Sequence, residues 1–507
     1  MSAVEVHDWV KLSLTDRQRR VGAFYASNDP QAQHDFLGLV RAPRGYGVYA
    51  SIGPNYQYAI FGRDSIAVAE DLLHTQPTLA KEIIVLLAHL QGREFNMQSE
   101  EEQGKIHHEY RSLHFNGHQA SKVARTVLEK IGSQWGGSRE ELLYYGSYDA
   151  TPLFIRLVDN YCRNYGDELL DMQILGGDGV HRKLGSVVRE AAAWLAAKIT
   201  SSPWGLFEFK RLNPGGLMYQ AWEDSNVAYL HLDGTTANAD GGIAAVELQG
   251  YAYDALNAAA ELVAADETEA AAWRQLANTV LDTALDKLWM PHEKYFCMGL
   301  DRSESGAERR VATFTANPAL LLETDFFSRI PHQVAWPYIE GIVRQLFSQE
   351  FLTAAGLRVR ARKHAKLVSF ADYHGSLVTW PKQTHRIADG LKKHGFYTLA
   401  ALLENCVLHA VAQAGEFYEF FFVDAHNHPK YHYRQENPDE PTFHDFGAAN
   451  LPEPGQAWTI SAVLNMVNAR YNSGPLLPVN ESVRHLEKDI LSQKHVAAIA
   501  EACGLHL

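Results

Sequence analysis

Residues 246–288 read VELQGYAYDALNAAAELVAADETEAAAWRQLANTVLDTALDKL, and this stretch decides the fold class. Apolar residues return every three or four positions from Leu248 to Leu262, and again from Trp273 to Leu288. This spacing predicts two amphipathic helices, because an α-helix completes a turn about every 3.6 residues. The segment between them, AADETEA, is short and acidic, so it places carboxylates at the positive end of the second helix. The stretch therefore predicts an antiparallel helical hairpin.

The same helical spacing recurs along most of the chain, whereas the alternation typical of β-strands is rare. Further helices are predicted near residues 63–76, 79–91, 118–131, 149–163, 187–199, 334–348, 385–412 (broken near Gly395) and 456–470. Two β-prone pieces, EKYFCMGL and RRVATFT, predict small hairpins. We find no low-complexity segment and no Pro/Ser-rich linker, so a single large all-α domain is predicted.

Composition excludes several functions. The 507 residues carry 46 Lys and Arg against 60 Asp and Glu, a net charge of -14, with no basic cluster of the kind that binds nucleic acid. The first residues lack the apolar stretch of a signal peptide, and no apolar run approaches the roughly 20 residues that span a bilayer. The four cysteines form no CxxC pair. We therefore expect a cytoplasmic protein without nucleic-acid or membrane partners. The sequence does not indicate its oligomeric state.

Motifs for cofactors and metals are missing. The sequence has no GxxxxGK, no GxGxxG between a strand and a helix, no GxSxG and no HExxH. His107, His108 and Glu109 are consecutive, and side chains of consecutive residues point in different directions, so they are not predicted to share an ion. No cofactor and no metal is predicted.

The loops are rich in Trp, Tyr, Asp, Glu, Asn, Gln and His near predicted helix ends. Aromatic faces stack on the apolar face of a pyranose, and carboxylates and amides bind its hydroxyls, so this composition is typical of sugar-binding sites. The clearest clusters are YAIFGRDSI, EEQGKIHHEYR, YYGSYDATPLFI, YQAWEDSNVA, VELQGYAYDAL, TANPALL, AGEFYEFFFVD and LPEPGQAWTISAVL.

In this order, the clusters resemble the amylo-α-1,6-glucosidase (glycogen-debranching-type) group of six-hairpin glycosidases, from about Tyr46 to Val467. The resemblance implies an (α/α)6 toroid of twelve helices with small β-hairpins and an active site at one end. It also implies glycoside hydrolysis with inversion. We predict an N-terminal segment at 1–45, the catalytic barrel at 46–475 and a C-terminal helical tail at 476–507.

Inverting hydrolysis needs a carboxylic acid that protonates the leaving oxygen and a carboxylate that activates water, roughly 6.5 to 9.5 Å apart. Asp224 is the candidate acid, because it matches the acid position of the family motif and lies near Trp222, which lowers local polarity and favours a raised pKa. The alternative is that Asp224 caps a following helix.

The candidate base is Glu419, because FYEFF falls where the family's PELF motif is expected, shortly before QAW. Glu416, one helical turn upstream, and Glu453, beside QAW, are the alternatives. Each of the three carboxylates could instead only bind a neighbouring loop.

The resemblance makes Arg63 and Asp64 ligands for sugar hydroxyls, with a buried ion pair as the alternative. Further candidates for the subsite walls and hydrogen bonds share the matching motifs, each against an alternative of helix capping or core packing. They are Lys105, Tyr145, Asp149, Trp222, Glu247, Gln249, Trp380 and Trp458, with His108 assigned to structure.

One departure bears on the substrate. Many relatives carry a WPHDN-like block, whereas this chain has Trp380, Pro381, Lys382, Gln383, Thr384 and His385. Lys382 could supply positive charge, with Lys392 and Lys393, so an anionic glycoside or one with a non-sugar acid is a candidate besides a branched glucan.

Three functions compete at this point. The first is an inverting exo-acting α-glycosidase acting on an oligosaccharide or a small glycoside. The second is a phosphorolytic transferase on the same toroid, which a base at Glu419 argues against. The third is a non-catalytic sugar-binding protein, which the presence of two candidate carboxylates argues against.

Overall fold

The computed structural model describes residues 6–115, 122–367, 372–424, 427–430, 451–472 and 479–505. The protein is all-α, with small antiparallel sheets. Its helices are α1 (Val6–Lys11), α2 (Leu14–Ser27), α3 (Pro30–Gly38), α4 (Gly62–Asp71), α5 (Pro77–His89), α6 (Lys122–Trp135), α7 (Ala150–Tyr165), α8 (Leu184–Ser201), α9 (Val246–Leu262), α10 (Glu267–Leu288), α11 (His332–Leu346), α12 (Pro381–Lys393), α13 (Tyr397–Ala414), α14 (Ala457–Tyr471), α15 (Glu481–Leu491) and α16 (Lys494–Ala502).

The strands are short and pair antiparallel in small sheets. They are β1 (Ala59–Phe61), β2 (Glu109–Ser112), β3 (Glu141–Tyr144), β4 (Gln173–Leu175), β5 (His181–Lys183), β6 (Ala244–Ala245), β7 (Trp289–Met290), β8 (Tyr295–Phe296), β9 (Gly299–Arg302), β10 (Glu308–Val311), β11 (Leu352–Thr353), β12 (Gly356–Leu357), β13 (Val378–Thr379), β14 (Phe421–Val423) and β15 (Pro429–Lys430). Sheets of three strands have the orders β1-β2-β3, β10-β9-β6 and β13-β14-β15.

Six inner elements form a closed ring. Helix α4 packs against α7, α7 against α9, α9 against the 3-10 helix Asn317–Glu323, that helix against α12, α12 against α14, and α14 against α4 again. Helices α5, α8, α10, α11 and α13 pack on the outside of this ring as partners of the inner elements. The protein is therefore an (α/α)6 toroid, as predicted.

One inner element is shorter than the rest. The segment Asn317–Glu323 is a 3-10 helix, and α12 approaches it closely through Gly390. A Cβ atom at Gly390 would lie 2.7 Å from the backbone nitrogen of Glu323, too close for any other residue without movement. Close packing against α12 thus makes this short segment part of the ring, although no helix was predicted there.

The two ends of the ring differ. Inner helices α4, α7, α12 and α14 begin beside residues that line the pockets described below. The positive N-terminal ends of these four inner helices therefore lie beside the two pockets. A short segment, 394–396, connects α12 to α13.

The predicted helical hairpin is confirmed as α9 and α10. Asp266 caps α10, with its side chain accepting a hydrogen bond from the Glu269 amide over 3.0 Å. The helix predicted over 385–412 is broken near Gly395 into α12 and α13, and the β-prone pieces form β8 with the hairpin of β9 and β10. Residues 118–121 of one predicted helix lie outside the described part of the chain.

Helices α2 and α3 were not predicted, because each buries only two residues and therefore shows little apolar spacing. Helix α2 packs against α13, and α3 packs against α14. In α2, only Val21 and Phe24 are buried. The domain boundaries at 45 and 475 stay predictions. No helix in the described ranges is long and apolar enough to cross a membrane.

Candidate active site

Asp224 and Glu419 line one pocket, together with residues from several loops and the start of α4. The pocket has a cavity volume of about 40 Å³, well below the roughly 300 to 1,000 Å³ typical of ligand sites. Its other lining residues are Tyr56, Phe61, Arg63, Asp64, His108, Trp222, Tyr373, His374, Trp380 and Trp458. We call this the carboxylate pocket.

A second pocket lies among the inner elements of the ring. It has a cavity volume of about 30 Å³, and it shares Arg63, Trp222 and Trp458 with the carboxylate pocket. Its other lining residues are Ala67, Asp149, Leu153, Tyr251, Leu320, Lys382, Gln383 and Arg386. We call it the axial pocket, because α4, α7, α9, α12 and α14 all contribute to it.

Asp224 lies in an irregular loop, and no helix follows it before β6, so the helix-capping alternative is wrong. Its Oδ2 is 3.6 Å from Nη1 of Arg63, and its Oδ1 accepts a hydrogen bond from the Tyr373 hydroxyl over 3.0 Å. Burial raises the pKa of Asp224, while Arg63 and Tyr373 act in the opposite direction. A cation and a donor are thus in place to stabilise its ionised form.

Arg63 is the link between α4 and the Asp224 loop. Its Nε donates to Asp149 Oδ2 over 2.5 Å, and its Nη2 donates to the carbonyl of Ala221 over 2.8 Å. Asp149 also accepts from the Ser147 hydroxyl over 2.6 Å and is fully buried. Arg63 is therefore ion-paired, as the structural alternative predicted, and it also lines both pockets.

Glu419 occupies a loop between α13 and β14. Its amide donates to the carbonyl of Glu453 over 2.9 Å, and the amide of Glu453 lies 3.5 Å from its Oε2. Burial raises the pKa of Glu419 well above its usual value, and the neighbouring Glu453, Asp64 and Asp224 carboxylates raise it further. Its surroundings are thus anionic, in contrast to those of Asp224.

Asp64 is a third carboxylic acid in the carboxylate pocket. It stands in the first turn of α4 and is 6% exposed. Burial raises its pKa to about 7, with Asp224 and Asp149 adding to the rise and Arg63 opposing it. Asp64 therefore changes charge near neutral pH beside both candidate catalytic groups.

Three tryptophans form a wall between the pockets. Trp222 packs against Trp380 with ring centroids 5.0 Å apart and against Trp458 at 5.7 Å, and Trp380 lies 5.6 Å from Trp458. The indole nitrogens of Trp222 and Trp458 are buried and have no protein partner among the described residues. Indoles offer both an apolar face and a donor, which suits a sugar ring.

Two predicted substrate residues line neither pocket. The ammonium of Lys105 is fully buried, 3.8 Å from a carboxylate oxygen of Glu102 and 4.6 Å from the ring centroid of Tyr148. Burial lowers the pKa of Lys105 to about 8. Tyr145 donates its hydroxyl to the carbonyl of Leu90 over 2.9 Å. Both residues join loops to the barrel in this structure.

Glu247 and Gln249, in the first turns of α9, also lie outside both pockets. The amide of Gln249 binds the backbone of Phe207 at both its nitrogen and its carbonyl, each over 2.9 Å. Glu247 is fully buried, accepts from Tyr229 over 3.4 Å, and burial raises its pKa to about 8. Gln249 thus fixes the loop that follows α8.

Lys382 lines the axial pocket, but its charge is paired. Its ammonium lies 2.6 Å from Asp71, and both side chains are almost fully buried. Lys392 pairs with Asp389 and Glu404, and Lys393 lies 2.7 Å from Asp325. Nearby carboxylates, on α12 itself and on neighbouring elements, therefore balance the lysines that were expected to form a basic patch.

The two alternative bases are held away from the pocket. Glu416 accepts from the Trp9 indole at 3.2 Å and from Arg17 at 2.6 Å, so it binds the N-terminal helices. Glu453 accepts from Asn55 at 2.6 Å and from Ser51 at 3.2 Å. Of the three candidates, only Glu419 lines the carboxylate pocket.

One group of side chains has the composition of a metal site. Ligand atoms of His385, Asp389 and Glu404 lie within 4.8 Å of one another between α12 and α13. The ammonium of Lys392 contacts both carboxylates of this group. A lysine cation thus already balances their charge.

Sequence reasoning missed several pocket residues: Tyr56, Phe61, Tyr373 and His374. Tyr373 and His374 belong to DYHGS, a stretch without helical or strand periodicity. Only the structure shows that this stretch contacts the Asp224 loop, because Asp372 accepts a hydrogen bond from the Ser225 hydroxyl over 3.0 Å. The only sequence feature that could have indicated these pocket residues is their aromatic and histidine side chains.

Comparison with protein-family models gave no match, and comparison with curated protein sequences gave none either. Solved structures do match across most of the chain. An uncharacterized conserved protein from Thermus thermophilus is 14% identical with a TM-score of 0.51, over 90% of this chain and 99% of its own.

The GH63 mannosylglycerate hydrolase from Thermus thermophilus, in complex with glucose, is also 14% identical with a TM-score of 0.51, over 85% of this chain and 98% of its own. A structure described as a wild-type glycosidase is 12% identical with a TM-score of 0.50, over 93% and 99% of the two chains. These similarities establish the six-hairpin fold.

Proposed function

We propose that the protein is an inverting, exo-acting α-glycosidase that removes a terminal sugar with Asp224 as general acid and Glu419 as general base. One observation carries the proposal: the two carboxylic acids, 195 positions apart in sequence (419 minus 224), line one small pocket walled by tryptophans. The resemblance of the motifs to amylo-α-1,6-glucosidases and the fold of the similar glycosidases support the same reaction class.

The surroundings of the two groups suit opposite proton transfers. Asp224 faces Arg63 and the Tyr373 hydroxyl, which stabilise the carboxylate that forms when Asp224 gives its proton to the leaving oxygen. Glu419 faces Glu453 and Asp64, whose negative charges favour uptake of a proton from the attacking water. Burial raises both pKa values, so these charged neighbours, and not burial, distinguish the two roles.

The small cavities argue against a bound polymer chain. The carboxylate pocket and the axial pocket have cavity volumes of only about 40 and 30 Å³, so a polymer chain does not fit, and even one sugar ring requires the lining side chains to move. The Trp222, Trp380 and Trp458 wall offers apolar faces for stacking. One similar structure is a mannosylglycerate hydrolase, so hexosyl glycerates join maltose, isomaltose and a branched limit dextrin as candidate substrates.

The test is hydrolysis of this panel by the wild type, Asp224→Asn and Glu419→Gln, with the product anomer followed by NMR. We expect the wild type to release a β-anomer from an α-linked substrate. Each variant should lose roughly 10²- to 10⁴-fold in kcat. Added phosphate should not accelerate the reaction, whereas a phosphorylase would require it.

Two modified assays separate the acid from the base. An α-glycosyl fluoride needs little protonation of its leaving group, so Asp224→Asn should retain most activity on it, while Glu419→Gln should not. Azide should restore activity to Glu419→Gln by replacing the activated water, giving a β-glycosyl azide. Exchanged behaviour of the two variants would reverse the assignment, and an α-anomer as first product would exclude inversion.

A further inference from the structure

The carboxylate of Glu453 is enclosed by the loop of residues 51–55. Ser51 donates to Oε2 over 3.2 Å, and Asn55 donates to Oε1 over 2.6 Å. A Cβ atom at Gly53 would lie 1.7 Å from Oε2, so the loop can close around the carboxylate only with glycine there. Glu453 is 5% exposed and lines neither pocket. The chain thus holds this carboxylate in a fitted enclosure outside the pockets.

Glu453 and Glu419 are joined through the backbone. The Glu419 amide donates to the Glu453 carbonyl over 2.9 Å, and the Glu453 amide lies 3.5 Å from Oε2 of Glu419. The adjacent Gln456 amide donates to the Phe417 carbonyl over 2.8 Å. Residues 417–419 and 453–456 therefore run side by side. The backbone of Glu453 contacts both the amide and the carboxylate of Glu419.

The charged and titratable groups around Glu419 come from several elements. Glu453 is the largest electrostatic influence on Glu419 after burial, followed by Asp64 of α4, with Asp224 acting more weakly. The remaining groups in the carboxylate pocket are Tyr56, Arg63, His108, Tyr373 and His374. Burial raises the pKa of Glu453, while its bonds with Asn55 and Ser51 and the charge of Arg111 oppose the rise. Arg111 also donates to the Asn55 carbonyl over 2.6 Å. Carboxylates therefore dominate the electrostatic surroundings of Glu419 and raise its pKa.

We propose that Glu453 is a positioning residue for Glu419: its backbone fixes the Glu419 side chain, and its enclosed negative charge makes Glu419 a stronger base. This inference rests on the proposed function. In the reaction, the water oxygen bonds to the anomeric carbon while its proton passes to Glu419, and the glycosidic bond breaks as Asp224 protonates the leaving oxygen. Glu453 takes part in no bond change and acts only through Glu419.

The variant that tests the charge is Glu453→Gln, because glutamine keeps the shape, the backbone bonds and an acceptor for Asn55. Removing the negative charge lowers the pKa of Glu419, so the acidic limb of kcat/KM should move to lower pH by about one unit. The KM at the optimum should be unchanged. Glu453→Asp restores the charge and should return the limb toward wild type. Glu501 is exposed on α16, so Glu501→Gln controls for net charge.

A titration by carbon-13 NMR of labelled Glu carboxyls measures the same shift without activity. The Glu419 signal is assigned by its loss in Glu419→Gln, and in Glu453→Gln it should titrate about one pH unit lower. An unmoved titration and an unmoved limb would overturn the inference. So would a loss at every pH as large as that of Glu419→Gln, since Glu453 would then be the base itself. If the wild type cleaves no glycoside, the proposed function fails, while the titration still decides the role of Glu453.

Discussion

The hydroxyl of Tyr373 donates a hydrogen bond to Oδ1 of Asp224 over 3.0 Å. Burial raises the pKa of Asp224, and this bond, with Arg63, opposes the rise by stabilising the ionised carboxylate. Tyr373→Phe removes the bond and keeps the ring, so the pKa of Asp224 should increase. We expect the alkaline limb of kcat/KM, which reports loss of the acid's proton, to move to higher pH by about half a unit.

A pH profile of Tyr373→Phe on the best substrate of the panel checks this shift. Tyr161→Phe, near the end of α7 and remote from both pockets, is the matched control and should leave the profile unchanged. A limb that stays in place in Tyr373→Phe would show that the hydroxyl does not tune Asp224.

The ion pair of Lys382 and Asp71 should contribute to stability. Their charged atoms are 2.6 Å apart with side chains 4% and 6% exposed, and Ser461 also donates to Asp71 over 2.6 Å. Lys382→Met leaves the Asp71 carboxylate buried without its main cation, so the free energy of unfolding should fall by about 3 kcal/mol at pH 7. Urea unfolding measures the loss.

The pH dependence of this loss has a defined sign. Burial acts to raise the pKa of Asp71, but Lys382 and His385 outweigh it and lower that pKa in the folded protein. The stabilisation is therefore present above the unfolded pKa, roughly 4, and is lost as pH falls below it. Without Lys382, burial raises the pKa of Asp71, so the variant's deficit should shrink between pH 7 and pH 5. The double variant Lys382→Met, Asp71→Asn should recover part of it, and a pH-independent deficit would contradict the pairing.

Arg17 should support the loop that carries Glu419. It lies 2.6 Å from Oε2 of Glu416, which burial leaves with a raised pKa and which precedes Glu419 by three positions in sequence. Arg17→Met should destabilise the protein by about 2 kcal/mol, less than a fully buried pair, because Arg17 is 22% exposed. We also expect kcat to fall roughly tenfold, since misplacing a catalytic group is costly.

Unfolding and kinetics of Arg17→Met are best compared with those of Arg20→Met. Arg20 is exposed on the same helix, α2. An equal effect of the two changes would exclude a specific role for the Glu416 contact.

The thiols should be unreactive in the folded protein. All four cysteines are free and buried, and burial raises the pKa of Cys162 to about 11 and that of Cys297 to about 12. Fewer than one thiol should react with an aromatic disulfide reagent at pH 8, against four after denaturation. Rapid reaction of the native protein would contradict the buried positions.

Most of the fold could be predicted from helical spacing and the family resemblance. The 246–288 hairpin was visible because its apolar stripes are long and uninterrupted. Helices α2 and α3 were missed since few of their residues are buried, and the 3-10 segment at 317–323 was missed since it is too short for a periodic pattern. Packing against neighbours, not local spacing, determines these elements.

The site was predictable only in part. Motif positions led to Asp224, Glu419 and the tryptophans, which the structure brings around one pocket. The same motifs also contain Tyr145 and Gln249, whose polar groups bind backbone. A motif cannot distinguish these two uses, because both require a fixed polar side chain. Tyr373 escaped notice because its partner Asp224 is far away in sequence.

The bond from the Trp9 indole to Glu416 joins residues 407 positions apart. A ribosome must therefore complete more than four fifths of the polypeptide before the loop bearing Glu419 can meet its N-terminal support, and contacts this distant in sequence form slowly. During synthesis, the N-terminal helices are complete long before Glu416 is available to bind Trp9 and Arg17. Helix α14, which closes the ring against α4, is synthesised later still. Catalytic competence should consequently appear late, so that enzyme activity would report the last stage of maturation and not its onset.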